Sequence, residues 1–128
     1  MASIFIITFS SLAHDSRVGR QIKFLKAKHQ ITLSAYDAPE GLVDQFIPIP
    51  KPQLNVAKKI ILGITLCLRL HPISYLLLYG KNALSKNLSI RTFDLIIAND
   101  IETLPLAFTI KSLKGVILDA HEYSPRQF

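Results

Sequence analysis

An α/β fold, a parallel β-sheet flanked by helices, is what this sequence of 128 residues predicts. Three observations carry that expectation. Apolar runs of strand length recur at Ser3 to Phe9, Phe93 to Ala98 and Gly115 to Ala120. Such continuous runs mark strands buried on both faces, as in parallel sheets. Stretches of helical periodicity alternate with them, and strands alternating with helices favour an open parallel sheet. Hydrophobic residues make up 49% of the chain and charged ones 19%, enough to build a core and too apolar for a disordered chain.

Ser3 to Phe9 is the first expected strand. Asp15 or Ser16 then caps a helix, because a short polar side chain there can accept hydrogen bonds from backbone amides that lack a partner in the first turn. Val18, Ile22 and Leu25 fall on one side of that helix, which is expected to end near His29. Ile31, Leu33 and Ala35 alternate with Thr32 and Ser34, the pattern of a second strand, before the turn signals Asp37, Pro39 and Gly41. Phe46 to Pro52 carries Pro48, Pro50 and Pro52. It cannot donate a full ladder of hydrogen bonds, which makes it an edge strand or an extended connector.

Helical periodicity resumes from Leu54 to Leu70, with Ala57, Ile60, Ile61, Ile64 and Leu68 on one face. His71-Pro72 marks a break before a second helix, Ile73 to Leu84. Phe93 to Ala98 is a buried strand, Ile101 to Leu113 a helix, and Gly115 to Ala120 a further strand. Pro105 does not veto the helix, since first-turn amides have no intrahelical partner to lose.

The formal charge of +6 and isoelectric point near 9.6 attract anions in general. The basic residues are scattered and lack zinc-finger spacing or RNP-type aromatics, so nucleic acid is not the expected partner. Cys67 is the single cysteine. It permits no internal disulfide or thiolate cluster and is expected to be a small buried hydrophobe. His14, His29 and His71 are too dispersed to suggest a metal site. The start, Met-Ala-Ser before Ile4 to Ile7, lacks the basic leader of a secretory signal, so a reducing cytoplasm is the expected compartment.

In open α/β sheets, ligands bind outside the carboxyl ends of the strands. Three such ends carry chemistry here: Ser10 to Arg17, Asn99-Asp100-Ile101-Glu102, and Asp119-Ala120-His121-Glu122-Tyr123. The first turn lacks the glycines of a dinucleotide fingerprint, so NAD or FAD is not expected there. Asp15 and Asp100 are each either helix caps or ligand contacts. Arg17 can reach an anionic group, and Asn99 can hydrogen-bond sugar hydroxyls.

The run His14-Asp15-Ser16-Arg17-Val18, with its helix and following strand, resembles the opening of family 4 retaining glycosyltransferases, which have the GT-B fold. So does Phe93 to Asp100, followed by a helix and then Val116-Ile117-Leu118-Asp119-Ala120-His121-Glu122-Tyr123; many members have a D-A/S-H-E signature at this point. The resemblance implies an incomplete N-terminal, acceptor-side Rossmann-like domain over residues 1–128, without the donor-binding domain. It implies transfer from a nucleotide sugar to a glycan or lipid-linked acceptor, with no metal and no cofactor, and a chain inactive by itself. It places His121 in the cleft, with Asp119 and Glu122 positioning it, and Asp15, Arg17, Asn99 and Asp100 as substrate contacts. A neutral imidazole can take a hydroxyl proton or hydrogen-bond a sugar, while a carboxylate fixes its tautomer. The bland alternative stays open, in which Asp119 caps a turn and His121 is a partly buried hydrogen-bonding residue.

The middle helix carries a second stripe, Leu62, Leu66 and Leu70, flanked by Lys58, Lys59 and Arg69. Either an anionic membrane surface meets this stripe, placing the protein peripherally at the inner face of the membrane, or the helix after it, or the missing remainder of the domain, covers it. The run is too short and too interrupted to span a bilayer. A non-catalytic membrane-peripheral or partner-binding module is therefore the rival reading, and a flavodoxin-like small nucleotide binder is a third.

Overall fold

The first apolar run becomes β1 (Ser3–Ile7), and everything else in the larger unit is arranged around it. The computed structural model describes residues 1–51, 54–79, 88 and 90–120. After β1 come α1 (Ser16–Lys26), β2 (Gln30–Ala35), β3 (Gln45–Pro48), α2 (Val56–Cys67) and α3 (His71–Tyr79). Then follow β4 (Thr92–Phe93), β5 (Leu95–Asn99), a 3-10 turn (Ile101–Thr103), α4 (Leu104–Ala107), β6 (Lys111–Ser112) and β7 (Val116–Asp119). Five strands form one parallel sheet in the order β3-β2-β1-β5-β7, and β4 and β6 pair as a short parallel ladder of their own. The fold is α/β and Rossmann-like, as expected.

Alternation along β1 explains how both faces are filled. Ile4 and Ile6 join Ile31, Leu33, Ala35 and Ile97 beneath Val18 and Ile22 of α1. Phe5 and Ile7 point to the other face, among Phe93, Ile96, Ala98, Ala107 and Ile110. The rings of Phe5 and Phe93 stack there at 5.1 Å between centroids. A fully buried Ile or Phe contributes roughly 1.5–3 kcal/mol by leaving water, so β1 and its neighbours hold the unit together.

Each element carries a local cause. Asp15 caps α1, its Oδ1 accepting from the Val18 amide at 3.2 Å. β3 lies at the sheet edge, where Pro48 leaves no interior ladder bond unmade. The run 93–98 is interrupted at Asp94, whose carboxylate accepts from the Ser3 amide at 2.7 Å and the Ser3 hydroxyl at 3.1 Å. These bonds tie the amino ends of β1 and β5 together and divide β4 from β5.

The helix expected over 101–113 is shorter. It tightens to a 3-10 turn and ends at Ala107. Ile110 is drawn into the core and Leu113 donates its amide to the Phe93 carbonyl at 2.9 Å, so the chain leaves the helix to make the β4–β6 ladder. Pro105 occupies the first turn, where it is tolerated.

Residues Pro50–Ala83 form a separate compact unit, built on the hairpin of α2 and α3. Asn55 caps α2 by accepting from the Lys58 amide at 2.8 Å. Arg69, with φ of 57°, turns the chain into α3, and Pro72 sits in that helix's first turn. The expected continuation of this helix to Leu84 lies outside the described residues. Two expectations are corrected here. Ala57, Ile60, Ile61, Ile64 and Leu68 do not bury a common face; all are exposed. Cys67 is exposed as well. What α2 buries is Thr65, which meets the buried Ser74 of α3 through a hydrogen bond of 2.8 Å. The helix after the Leu62, Leu66, Leu70 stripe covers it only in part, since Leu62 is half-buried while Leu66 and Leu70 are exposed.

The Asp94 brace makes folding sensitive to acid. Hydrogen bonds from Ser3 favour the carboxylate and hold its pKa below the ordinary aspartate value. A depressed carboxylate stabilises the fold above its unfolded pKa, and that contribution is lost as pH falls through the folded value. Denaturant titrations across the acid range should therefore show wild-type stability falling below about pH 4. Asp94→Asn should give a flatter profile, and an unchanged slope would remove Asp94 from the acid response.

Candidate functional site

Strand order reverses at β1: the chain fills the sheet outward through β2 and β3, then returns to add β5 and β7 on the other side. In doubly wound sheets this reversal opens a crevice at the carboxyl ends of the two strands beside it. Here those ends lead into residues 8–15 after β1 and residues 100–103 after β5. The polar residues of interest gather at this edge, whereas the Ser3–Asp94 and Ala2–His29 contacts brace the opposite, amino edge.

The turn after β1 is a chain of short hydrogen bonds. The hydroxyls of Thr8 and Ser10 lie 2.8 Å apart, and Ser10 donates to Asp15 Oδ2 at 3.0 Å. Ser11 donates to Asp37 Oδ2 at 2.6 Å. With Oδ1 occupied by the Val18 amide, both oxygens of Asp15 serve the turn and the helix start. Of its two expected roles, capping is the one the geometry displays.

Around the first turns of α1 a second network joins three elements. Arg17 places Nη1 at 3.2 Å from Asp119 Oδ2 and Nη2 at 3.5 Å from Asp100 Oδ1. One turn later, Gln21 donates to Asp119 Oδ2 at 3.3 Å and accepts from Asn99 Nδ2 at 3.2 Å. Asn99 and Asp119 are paired residues of β5 and β7, so the sheet register itself sets them side by side. Arg17, Asn99, Asp100 and Asp119, named from sequence, are thus brought together. His121 and Glu122 lie outside the described residues.

Gln21 was not among the sequence candidates, yet it links Asn99 to Asp119. Its signal was its spacing: four residues after Arg17, it stands on the same helix face. Asp100 makes no side-chain cap to the following turn; Thr103 closes it instead, donating to the carbonyls of Asn99 at 3.1 Å and Asp100 at 2.9 Å. Arg17 is turned onto two carboxylates rather than left open to a phosphate.

Two features set this network apart from ordinary surface polarity. Asp100 holds φ 71° and ψ 152°, a region nearly exclusive to glycine that costs about 1–3 kcal/mol and collects at functional sites. Its amide donates to the Asp119 carbonyl at 3.0 Å, which fixes this conformation. Asn99, fully buried, has no hydrogen-bond partner for Oδ1 among the described residues, and Arg17 Nη1 meets Asp119 as an ion pair without hydrogen-bond alignment. An unfilled buried acceptor costs about 1–3 kcal/mol.

The ion pairs do little to offset those costs. The side chains of Asp100 and Asp119 are 37% and 39% exposed, and solvent-screened pairs contribute about 0–1 kcal/mol each. Two carboxylates against one guanidinium also leave the cluster with surplus negative charge. It suits hydroxyl groups, which can donate to carboxylates, better than it suits a phosphate. Among the described residues, no group of three His, Cys, Asp or Glu side chains could hold a metal ion.

Fold and site together define a Rossmann-like α/β unit with a strained, hydrogen-bonding polar cluster at the carboxyl edge of its sheet. No protein family, curated protein or solved structure matches the chain in comparisons of all three kinds.

The strain at Asp100 can be measured. Asp100→Gly should be more stable than Asp100→Ala by about 1–2 kcal/mol in urea denaturation, because both lose the carboxylate and only glycine relieves the backbone. Equal stabilities would mean that the left-handed conformation is not retained in solution.

Proposed function

We propose that the chain is the acceptor-side part of a GT-B sugar transferase, which binds a hydroxyl-rich glycan or lipid-linked acceptor at the carboxyl edge of its sheet. The observation that carries this reading is the gathering of Arg17, Asn99, Asp100 and Asp119 at that edge, beside a backbone strained at Asp100. The same stretches carry the resemblance to family 4 retaining glycosyltransferases. A sugar hydroxyl can donate to the half-exposed carboxylates of Asp100 and Asp119 and accept from Arg17.

In this reading Asp119 belongs to the strand end that leads to His121 and Glu122, and His121 takes the proton of the attacking hydroxyl. A nucleotide sugar is held by a donor domain that lies beyond these residues. The exposed Ile117 and Leu118 of β7, the last strand of the sheet, leave apolar surface for further chain to cover. The same reading assigns the protein to the cytoplasm, and a lipid-linked acceptor would draw it to the inner face of the membrane.

Purified chain incubated with nucleotide sugars should release no nucleotide, because positioning and charge stabilisation at the donor are missing. Glycans should nevertheless shift the amide resonances of Asn99, Asp100 and Gln21. Turnover, or glycan titrations that leave these amides unmoved, would overturn the proposal. In an enzyme completed by a donor domain, His121→Ala should lower transfer by about 10²–10⁴-fold, the range of a lost general base, with the melting temperature unchanged. A His121→Ala protein that unfolds, while its folded fraction stays active, would make the residue structural.

A further inference from the structure

We propose that the α2–α3 hairpin is a docking surface for anionic lipid, with the outer stripe of α2 immersed at the headgroup boundary and its basic side chains on acidic headgroups. This stands apart from sugar transfer and would hold for a chain with no transferase role.

The outer stripe of α2 is aliphatic and exposed. In water, a pair of helices buries apolar residues between them and turns polar ones outward. Among the described side chains the buried ones here are Thr65 and Ser74, with Leu62, Tyr75 and Leu77 half-buried. Ser74 donates to Thr65 Oγ1 at 2.8 Å, and Thr65 donates to the Leu62 carbonyl at 2.9 Å. Val56, Ile60 and Ile64, one turn apart, are 75%, 59% and 53% exposed, and the exposed Cys67 continues their stripe. Hydroxyl residues between close helices with branched aliphatics outside is an arrangement suited to apolar surroundings.

Charge is segregated in the same place. Residues Pro50–Ala83 contain Lys51, Lys58, Lys59, Arg69 and Lys81 and no Asp or Glu, which is five of the chain's six net positive charges. The rest of the chain is nearly neutral. A second copy would bring two units of like net charge together, and an acidic protein surface would answer the charge without covering the aliphatic stripe. An anionic bilayer supplies both, acidic headgroups above hydrocarbon.

Length settles the mode of contact. α2 has 12 residues, or about 18 Å of helix, against about 30 Å of bilayer hydrocarbon. No helix among the described residues is long and apolar enough to cross a membrane. The hairpin therefore lies in the interface rather than through it.

Cys67, the single cysteine, reports the immersion directly. A nitroxide attached there, on the full 128-residue chain, is followed in vesicles of phosphatidylcholine with and without phosphatidylglycerol. With phosphatidylglycerol at low salt, the label should gain collisions with oxygen and lose them with a water-soluble nickel complex; added salt should release the protein. Replacing Lys58, Lys59 and Arg69 with Gln should weaken partitioning on the order of a hundredfold, at about fivefold per charge. Ile60→Gln with Ile64→Gln should abolish immersion while far-UV circular dichroism stays unchanged. The proposal is overturned by no binding to anionic vesicles, by equal binding to neutral ones, or by a bound label still open to nickel. It is equally overturned by a label already shielded in a vesicle-free dimer. Because the unsubstituted chain gives these outcomes, a variant that fails to fold leaves the test intact, and none of them bears on glycan binding.

Discussion

A strand covered on both faces has no water for its backbone, so every amide and carbonyl of β1 must be met by a neighbouring strand. β2 on one side and β5 on the other meet that need, with Ile4 to Ile7 in register with both. The remaining architecture follows from this constraint. Alternate side chains must be covered separately, so α1 closes one face and α4 contributes to the other. Parallel pairing sends every strand's carboxyl end to the same edge, which is why the polar cluster assembles there and the Asp94 brace stands opposite.

The cluster and the sheet are one system. Asn99 and Asp119 are neighbours because β5 and β7 pair in that register, and Gln21 reaches both because Ile22, the next residue on α1, is buried against the sheet. The positive φ of Asp100 is likewise held by a backbone bond to β7. Local preference alone would not select that conformation; the surrounding ladder imposes it. Strain placed at the rim of a rigid sheet, where a polar ligand can reach, is how a scaffold presents groups in a fixed geometry.

The two compact units follow opposite rules. In the larger one, aliphatic residues are inside, and acidic and basic groups nearly balance. In Pro50–Ala83, the buried residues among those described are Thr65 and Ser74, the aliphatics Val56, Ile60 and Ile64 are exposed, and charge is of one sign. Overall composition conceals this division, since the formal charge of +6 reads as scattered until the acidic residues are seen to avoid one segment entirely.

The sequence by itself determined the strands and the parallel sheet, because a continuous Ile/Leu run of strand length at Ser3 to Phe9 or Phe93 to Ala98 has few other ways to leave water. It also marked Pro48 for the edge and Asp15 for the start of α1, both consequences of local backbone chemistry. It named Arg17, Asn99, Asp100 and Asp119 from their positions after strands, and it did not name Gln21, whose role depends on which strands pair. The helix expected to reach Leu113 yielded to the pull of Ile110 into the core and of Leu113 onto β4. Periodicity placed Ile60 and Ile64 on one face but could not say which way that face turns. That was decided by tertiary structure: a helical pattern records which side chains share a surface, and only the packing of Thr65 against Ser74 determines which surface is inside.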